Sequence, residues 1–127
     1  MQLQKLVFLA QGYCLALLDR ALFHNHVHAW QWGPVIPKLY KPLQKYGAGV
    51  VCEPIPSEDT IEGASQEDEV IRAVWDSFGH FTGAQLSGLT HENGTPWSVT
   101  WEANKFGVIS EDLIKDHYRR LLASNAA

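Results

Sequence analysis

Three histidines at alternate positions, His24, His26 and His28, are the first residues here whose type and spacing suggest chemistry. On an extended strand alternate side chains share one face, and imidazoles so arranged can hold zinc or another transition metal. Yet His24 and His28 would lie ~13 Å apart along such a strand, and no nearby Cys or Asp supplies the remaining ligands. The competing reading is a polar, half-exposed edge. Cys14 falls on an apolar helical stripe, the setting of a small core residue rather than a nucleophile. His91 and Glu92 could be drawn as an acid–base pair, but adjacent residues seldom converge on one reacting atom. There is no Gly-Lys-Ser/Thr phosphate loop, no dinucleotide fingerprint and no His-Glu-x-x-His helix. No catalytic residue, metal ligand or cofactor is assigned, and the chain is expected not to be an enzyme; a metal-dependent enzyme built on the histidine segment stands as the outlying alternative.

Lys38, Lys41 and Lys45 form a basic stripe with Tyr40 and Tyr46 nearby. Such a stripe can meet phosphates, though a solvated helix face explains it as well. Five tryptophans are many for 127 residues, and aromatics dominate both cores and interface hot spots. The net charge is −4, with 14 acidic against 10 basic side chains, which argues against a nucleic-acid binder. The charge is uneven, however. Seven acids and no Lys or Arg fall between Glu53 and Glu69, leaving seven acids against ten bases, a net +3, elsewhere. Pro54, Pro56, Gly63 and Ser65 mark that stretch, about residues 53–69, as an acidic loop.

Length and composition supply the frame that must position these residues. A chain of 127 residues with 46% hydrophobic and 19% charged side chains is expected to form one domain, residues 1–127, able to fold without metal or disulfide. The longest apolar run, Tyr13 to Leu18, is far too short to span a bilayer. Gln11 and Gly12 interrupt any signal-like stretch. Cys14 and Cys52 have no paired spacing, which suggests a reducing cytoplasm.

Apolar residues from Leu3 to Leu18 recur at three- and four-residue steps and predict a helix over about residues 2–19. Gln4, Lys5 and Gln11 fall off that stripe, and Gly12 within it suggests the close approach of another backbone. Residues 22–32 read as extended, followed by a break at Gly33-Pro34. A second helix is expected from Val35 to Tyr46, with Pro42 a warning inside it, and a short strand from Val50 to Ile55. Ser65 looks like an N-cap for a helix ended by Gly79, and Thr82 for one over Gly83 to Thr90. Thr95-Pro96 opens a fifth helix presenting Trp97 and Trp101 on one face. Ser110 opens the last, which runs into a flexible tail at 123–127. The expected fold is mainly α: a compact single domain of about six helices with at most a small two-stranded β element.

Three blocks go beyond composition. They are Leu-Gln-Lys-Leu-Val-Phe-Leu-Ala-Gln-Gly at 3–12, Ala-Trp-Gln-Trp-Gly-Pro-Val-Ile-Pro-Lys-Leu-Tyr at 29–40, and Leu-Ser-Gly-Leu-Thr-His-Glu-Asn-Gly-Thr-Pro-Trp at 86–97. In this order and spacing the chain resembles the Panacea domain of the SocA-type antitoxin family, which includes phage-associated proteins. The resemblance implies an antitoxin that neutralises a cognate toxin by direct binding. In the SocA branch it also implies an adaptor presenting the toxin to the ClpXP protease. Its alternative is a phage or mobile-element module acting on a host protein. The motif residues Gln4, Lys5, Gln11, Trp32, Tyr40, Thr90, His91 and Trp97 are the candidate partner-binding set; the polar ones could equally form a buried network. Family members usually carry a further helix before the first block, whereas this chain starts at Met1, so a partner surface built from that helix is in doubt. The terminal Ala126-Ala127 resembles some tails read by ClpX, beside the plainer reading of a frayed end.

Overall fold

Four hydroxyl side chains set where helices begin. Ser65 Oγ accepts the Asp68 amide at 3.1 Å, and Thr95 Oγ1 accepts that of Ser98 at 3.3 Å. Thr82 and Gln85 bond each other's amides reciprocally, at 3.1 and 2.9 Å. Ser110 Oγ accepts from Asp112 at 3.1 Å. Each satisfies amides that the first helical turn leaves without an intrahelical partner.

The computed structural model describes residues 2–39 and 65–126. Its elements are α1 (Gln2–Leu18), β1 (His28–Trp30), β2 (Gly33–Val35), α2 (Gln66–Phe78), α3 (Gly83–Thr90), α4 (Pro96–Ala103) and α5 (Glu111–Ala126). Residues 37–39 are also helical. The architecture is mainly α with one small antiparallel sheet. No helix among the described residues is long and apolar enough to cross a membrane.

The central element is α1, which packs against α5, α2, α3 and β2. Phe8, Leu9, Cys14 and Leu15 meet Val70, Val74, Leu86, Ile114 and Tyr118 in one core. At Gly12 α5 approaches α1 closely enough that a β-carbon would collide with the Tyr118 ring. The close approach expected at Gly12 is therefore made by a ring, not by a second backbone. Past the end of α1, Asp19 accepts from Lys115 at 3.1 Å and Arg119 at 3.3 Å, tying α1 to α5.

The hairpin departs from expectation. Its register is His28↔Val35, Ala29↔Pro34 and Trp30↔Gly33, so Gly33-Pro34 opens a strand rather than breaking the chain. Val35 takes a ladder position, and the helix expected from it starts at 37. Most of that helix, Lys41 and Lys45, and the strand expected at Val50 to Ile55 lie outside the described residues. His24 and His26 sit on the loop before β1, so the three histidines do not share a strand face. At the end of the acidic stretch the helix expected after Ser65 is present: it starts at Gln66, so the loop stops there rather than at 69, and Glu67, Asp68 and Glu69 occupy the first turn of α2, where they favour its dipole.

Candidate functional site

The polar residues of α1 that fall off its apolar stripe are buried all the same. Gln4 is 0% exposed and grips Ile36 at both ends of its amide, donating to the carbonyl at 3.1 Å and accepting from the N–H at 3.0 Å. Gln11 does the same for the loop after α1: it accepts from Leu22 at 2.7 Å and Phe23 at 3.3 Å and donates to the Phe23 carbonyl at 3.0 Å. A glutamine carries the donor and acceptor of a peptide group, so each one completes backbone that no ladder pairs. Lys5, 1% exposed, donates from Nζ to the Pro34 carbonyl at 2.9 Å. Burial lowers its pKa to about 8. Thr90, also buried, bonds back to the Leu86 carbonyl at 2.9 Å. Gln4 and Lys5 thus fix the outgoing edge of the hairpin, while Gln11 fixes its approach.

The hairpin presents aromatic surface on its other side. Trp32, at the two-residue turn, is 70% exposed, and its carbonyl accepts from Ser87 Oγ at 2.9 Å. Ser87 Oγ also lies 3.2 Å from His91 Nδ1. From His91 a run of rings continues through Trp97, Trp101 and Phe106, with successive centroids 5.4, 5.6 and 5.2 Å apart. Trp97 Nε1 donates to the Trp30 carbonyl at 2.6 Å, which holds α4 against β1. Lys105 Nζ stands 5.5 Å over the Trp101 ring. Phe106 is exposed and has φ +63°, a backbone region that disfavours a bulky side chain. The face is therefore formed by the hairpin turn, the end of α3, α4 and the 104–107 turn.

Of the candidate residues, Trp32, His91 and Trp97 meet on or beside this face, and Gln4, Lys5, Gln11 and Thr90 lie beneath it or within the helices supporting it. Tyr40 lies outside the described residues. Trp101 and Phe106 were not among the candidates. The four-residue step from Trp97 pointed to Trp101, but Phe106 carried only the weak signal of a phenylalanine set between the turn-formers Asn104 and Gly107.

His24 and His26 line a cavity of about 410 Å³ with Gln11, Ile109, Glu111 and Asp112 among its walls. Among the described residues no group of three or more His, Cys, Asp or Glu is placed to hold a metal. Cys14 is fully buried in the core, and burial pushes its thiol up to about 11, the opposite of an activated nucleophile.

The model of the antitoxin SocA-like, Panacea domain family matches residues 3–98. Antitoxin SocA of Caulobacter vibrioides (strain NA1000 / CB15N) is 29% identical over an alignment of 133 residues, covering 92% of this chain and 70% of that protein. No solved structure matches. The matched region takes in the α1 clamp, the hairpin and the α3–α4 corner, and on that ground this chain belongs to the family of SocA-like antitoxins carrying the Panacea domain.

Proposed function

We propose that this protein is the antitoxin of a toxin–antitoxin pair and neutralises its cognate toxin by direct, non-catalytic binding in the cytoplasm. The observation that carries the reading, beside family membership, is the aromatic face: Trp97 and Trp101 stacked and half-buried, Trp32 and Phe106 exposed at its two ends. Large aromatics with part of their surface already fixed by packing lose little side-chain freedom on binding and make strong anchors. Trp32, His91 and Trp97 touch the toxin in this reading. Gln4, Lys5, Gln11 and Thr90 hold the hairpin and α3 that present them. The bound toxin is then presented to ClpXP, as the SocA resemblance implies.

Co-expression with each adjacent gene tests the proposal. One neighbour should be toxic alone and harmless with this protein present. Trp32→Ala and Phe106→Gly, both exposed, should each lower protection while leaving the thermal midpoint within a few degrees of wild type. Protection by the double variant equal to that of wild type would reject the aromatic face; absence of any toxic neighbour rejects the antitoxin reading. Persistence of the toxin's rapid turnover in cells lacking ClpP would remove the adaptor role alone.

A further inference from the structure

A buried cation stands directly behind the aromatic face. Lys5 is 1% exposed, and the described acceptor of its Nζ is the Pro34 carbonyl. An ammonium has three donors, so two N–H groups receive no acceptor among the described residues. No described carboxylate pairs with it, in contrast to the exposed Arg20 and Arg72 and the half-buried Lys115, all of which are paired with acids. Burying an ammonium with one neutral acceptor is expensive, and the single bond to Pro34 offsets only part of that cost. The group is poorly explained by stability.

Its cover is thin. A β-carbon at Gly33, whose φ is +121°, would lie 3.0 Å from Nζ, and the His91 β-carbon flanks the same spot. Above it is the turn bearing Trp32, pinned to α3 by one hydroxyl, Ser87 Oγ. At 1% exposure Lys5 is reached from outside only if that cover moves.

We propose that Lys5 is an anion-receiving group: when the toxin docks on the aromatic face, an Asp or Glu side chain of the toxin enters beside Gly33 and takes the unused N–H donors of Lys5. The inference rests on the antitoxin reading and names the chemistry of its partner at that face. A carboxylate supplies two acceptor oxygens and the compensating charge, and a charge-assisted bond in a dry setting is the strong kind. Gly33 keeps the ground beside Nζ clear of a β-carbon, which would stand 3.0 Å from the ammonium.

The test uses the toxin identified by co-expression and the Lys5→Met variant. Lys5→Met, in which relief from burying the charge offsets the loss of the Pro34 bond, should fold with a thermal midpoint within a few degrees of wild type yet bind the toxin at least tenfold more weakly. Among single Asp→Asn and Glu→Gln variants of the toxin, one should weaken binding to the wild-type antitoxin by a similar factor and have no further effect on Lys5→Met. Should Lys5→Met fail to fold, calorimetry of the wild-type pair near pH 8, in two buffers of different ionisation enthalpy, should register net proton uptake on binding. Unchanged affinity of Lys5→Met, strict additivity with every toxin variant, or zero proton uptake overturns the proposal and leaves the antitoxin reading standing. A wild-type chain that protects against no neighbouring toxin overturns both.

Discussion

At the scale of single residues, the same side chain does different work at two ends of one helical turn. Gln2 and Gln4 both bond backbone far away in sequence. Gln2 reaches the carbonyls of Gly79 at 3.1 Å and Phe81 at 2.8 Å from an exposed position. Gln4 is sealed in the interior against Ile36. Water can replace the partners of Gln2 but not those of Gln4. Gln4→Leu should therefore cost about 3 kcal/mol, because a buried donor and a buried acceptor are both orphaned, whereas Gln2→Ala should cost under about 1 kcal/mol. Urea denaturation of the two variants checks the ratio. Equal small effects would mean that Ile36 finds other partners.

At the scale of elements, the helices are written in their caps. Thr95 shows how much a cap carries: it accepts from Ser98 at 3.3 Å and donates to the Glu92 carbonyl at 2.7 Å, and it starts the helix bearing Trp97 and Trp101. Thr95→Ala should destabilise by about 1–2 kcal/mol, and Thr95→Ser should restore most of it; urea midpoints followed by tryptophan fluorescence measure both. Periodicity and capping residues thus made α1 and α2–α5 legible. The extended reading of residues 22–32 takes in β1, but its pairing with Gly33–Val35 was not legible, because proline is a ladder breaker in isolation. The structure accommodates it: the Ala29 N–H opposite Pro34 turns away and donates to the Gly107 carbonyl at 2.9 Å. Nor could the burial of Gln4, Lys5 and Gln11 be read from the chain. They lie off the apolar stripe, and only the packing of α1 among α5, α2, α3 and β2 decides that those sides are interior too. The resemblance blocks marked these residues without assigning them to surface or core.

At the scale of the whole molecule, buried ionisable groups give stability an alkaline profile of predictable sign. Lys5 is lowered by burial to about 8 from 10.5, so the folded state gives up that proton before the unfolded chain does. Above pH 8 the unfolded state binds more protons, and stability must rise with pH, by up to about 1.4 kcal/mol per unit for one group. Cys14 works in the other direction. Burial raises it to about 11 from 9.0, so above pH 9 the unfolded chain ionises while the folded thiol does not, and stability falls. Tyr118 and Tyr13, both raised by burial from 10.0, steepen that fall further up. On the acid side His117, held below its ordinary value first by burial and then by Arg120, makes stability drop as the imidazole is forced to charge. Asp19 and Glu67, held low by hydrogen bonds to Lys115 and Arg20, add to that drop when they protonate. The expected curve climbs from pH 8 to 9, levels between 9 and 10 as the Lys5 and Cys14 slopes cancel, and descends beyond. Urea midpoints at half-unit steps trace it. Lys5→Met should abolish the climb and leave a curve that only falls above pH 9. A climb of the same size in Lys5→Met would mean that Lys5 holds its proton as an ordinary solvated lysine does, which is incompatible with an ammonium sealed beneath the hairpin and waiting for a carboxylate.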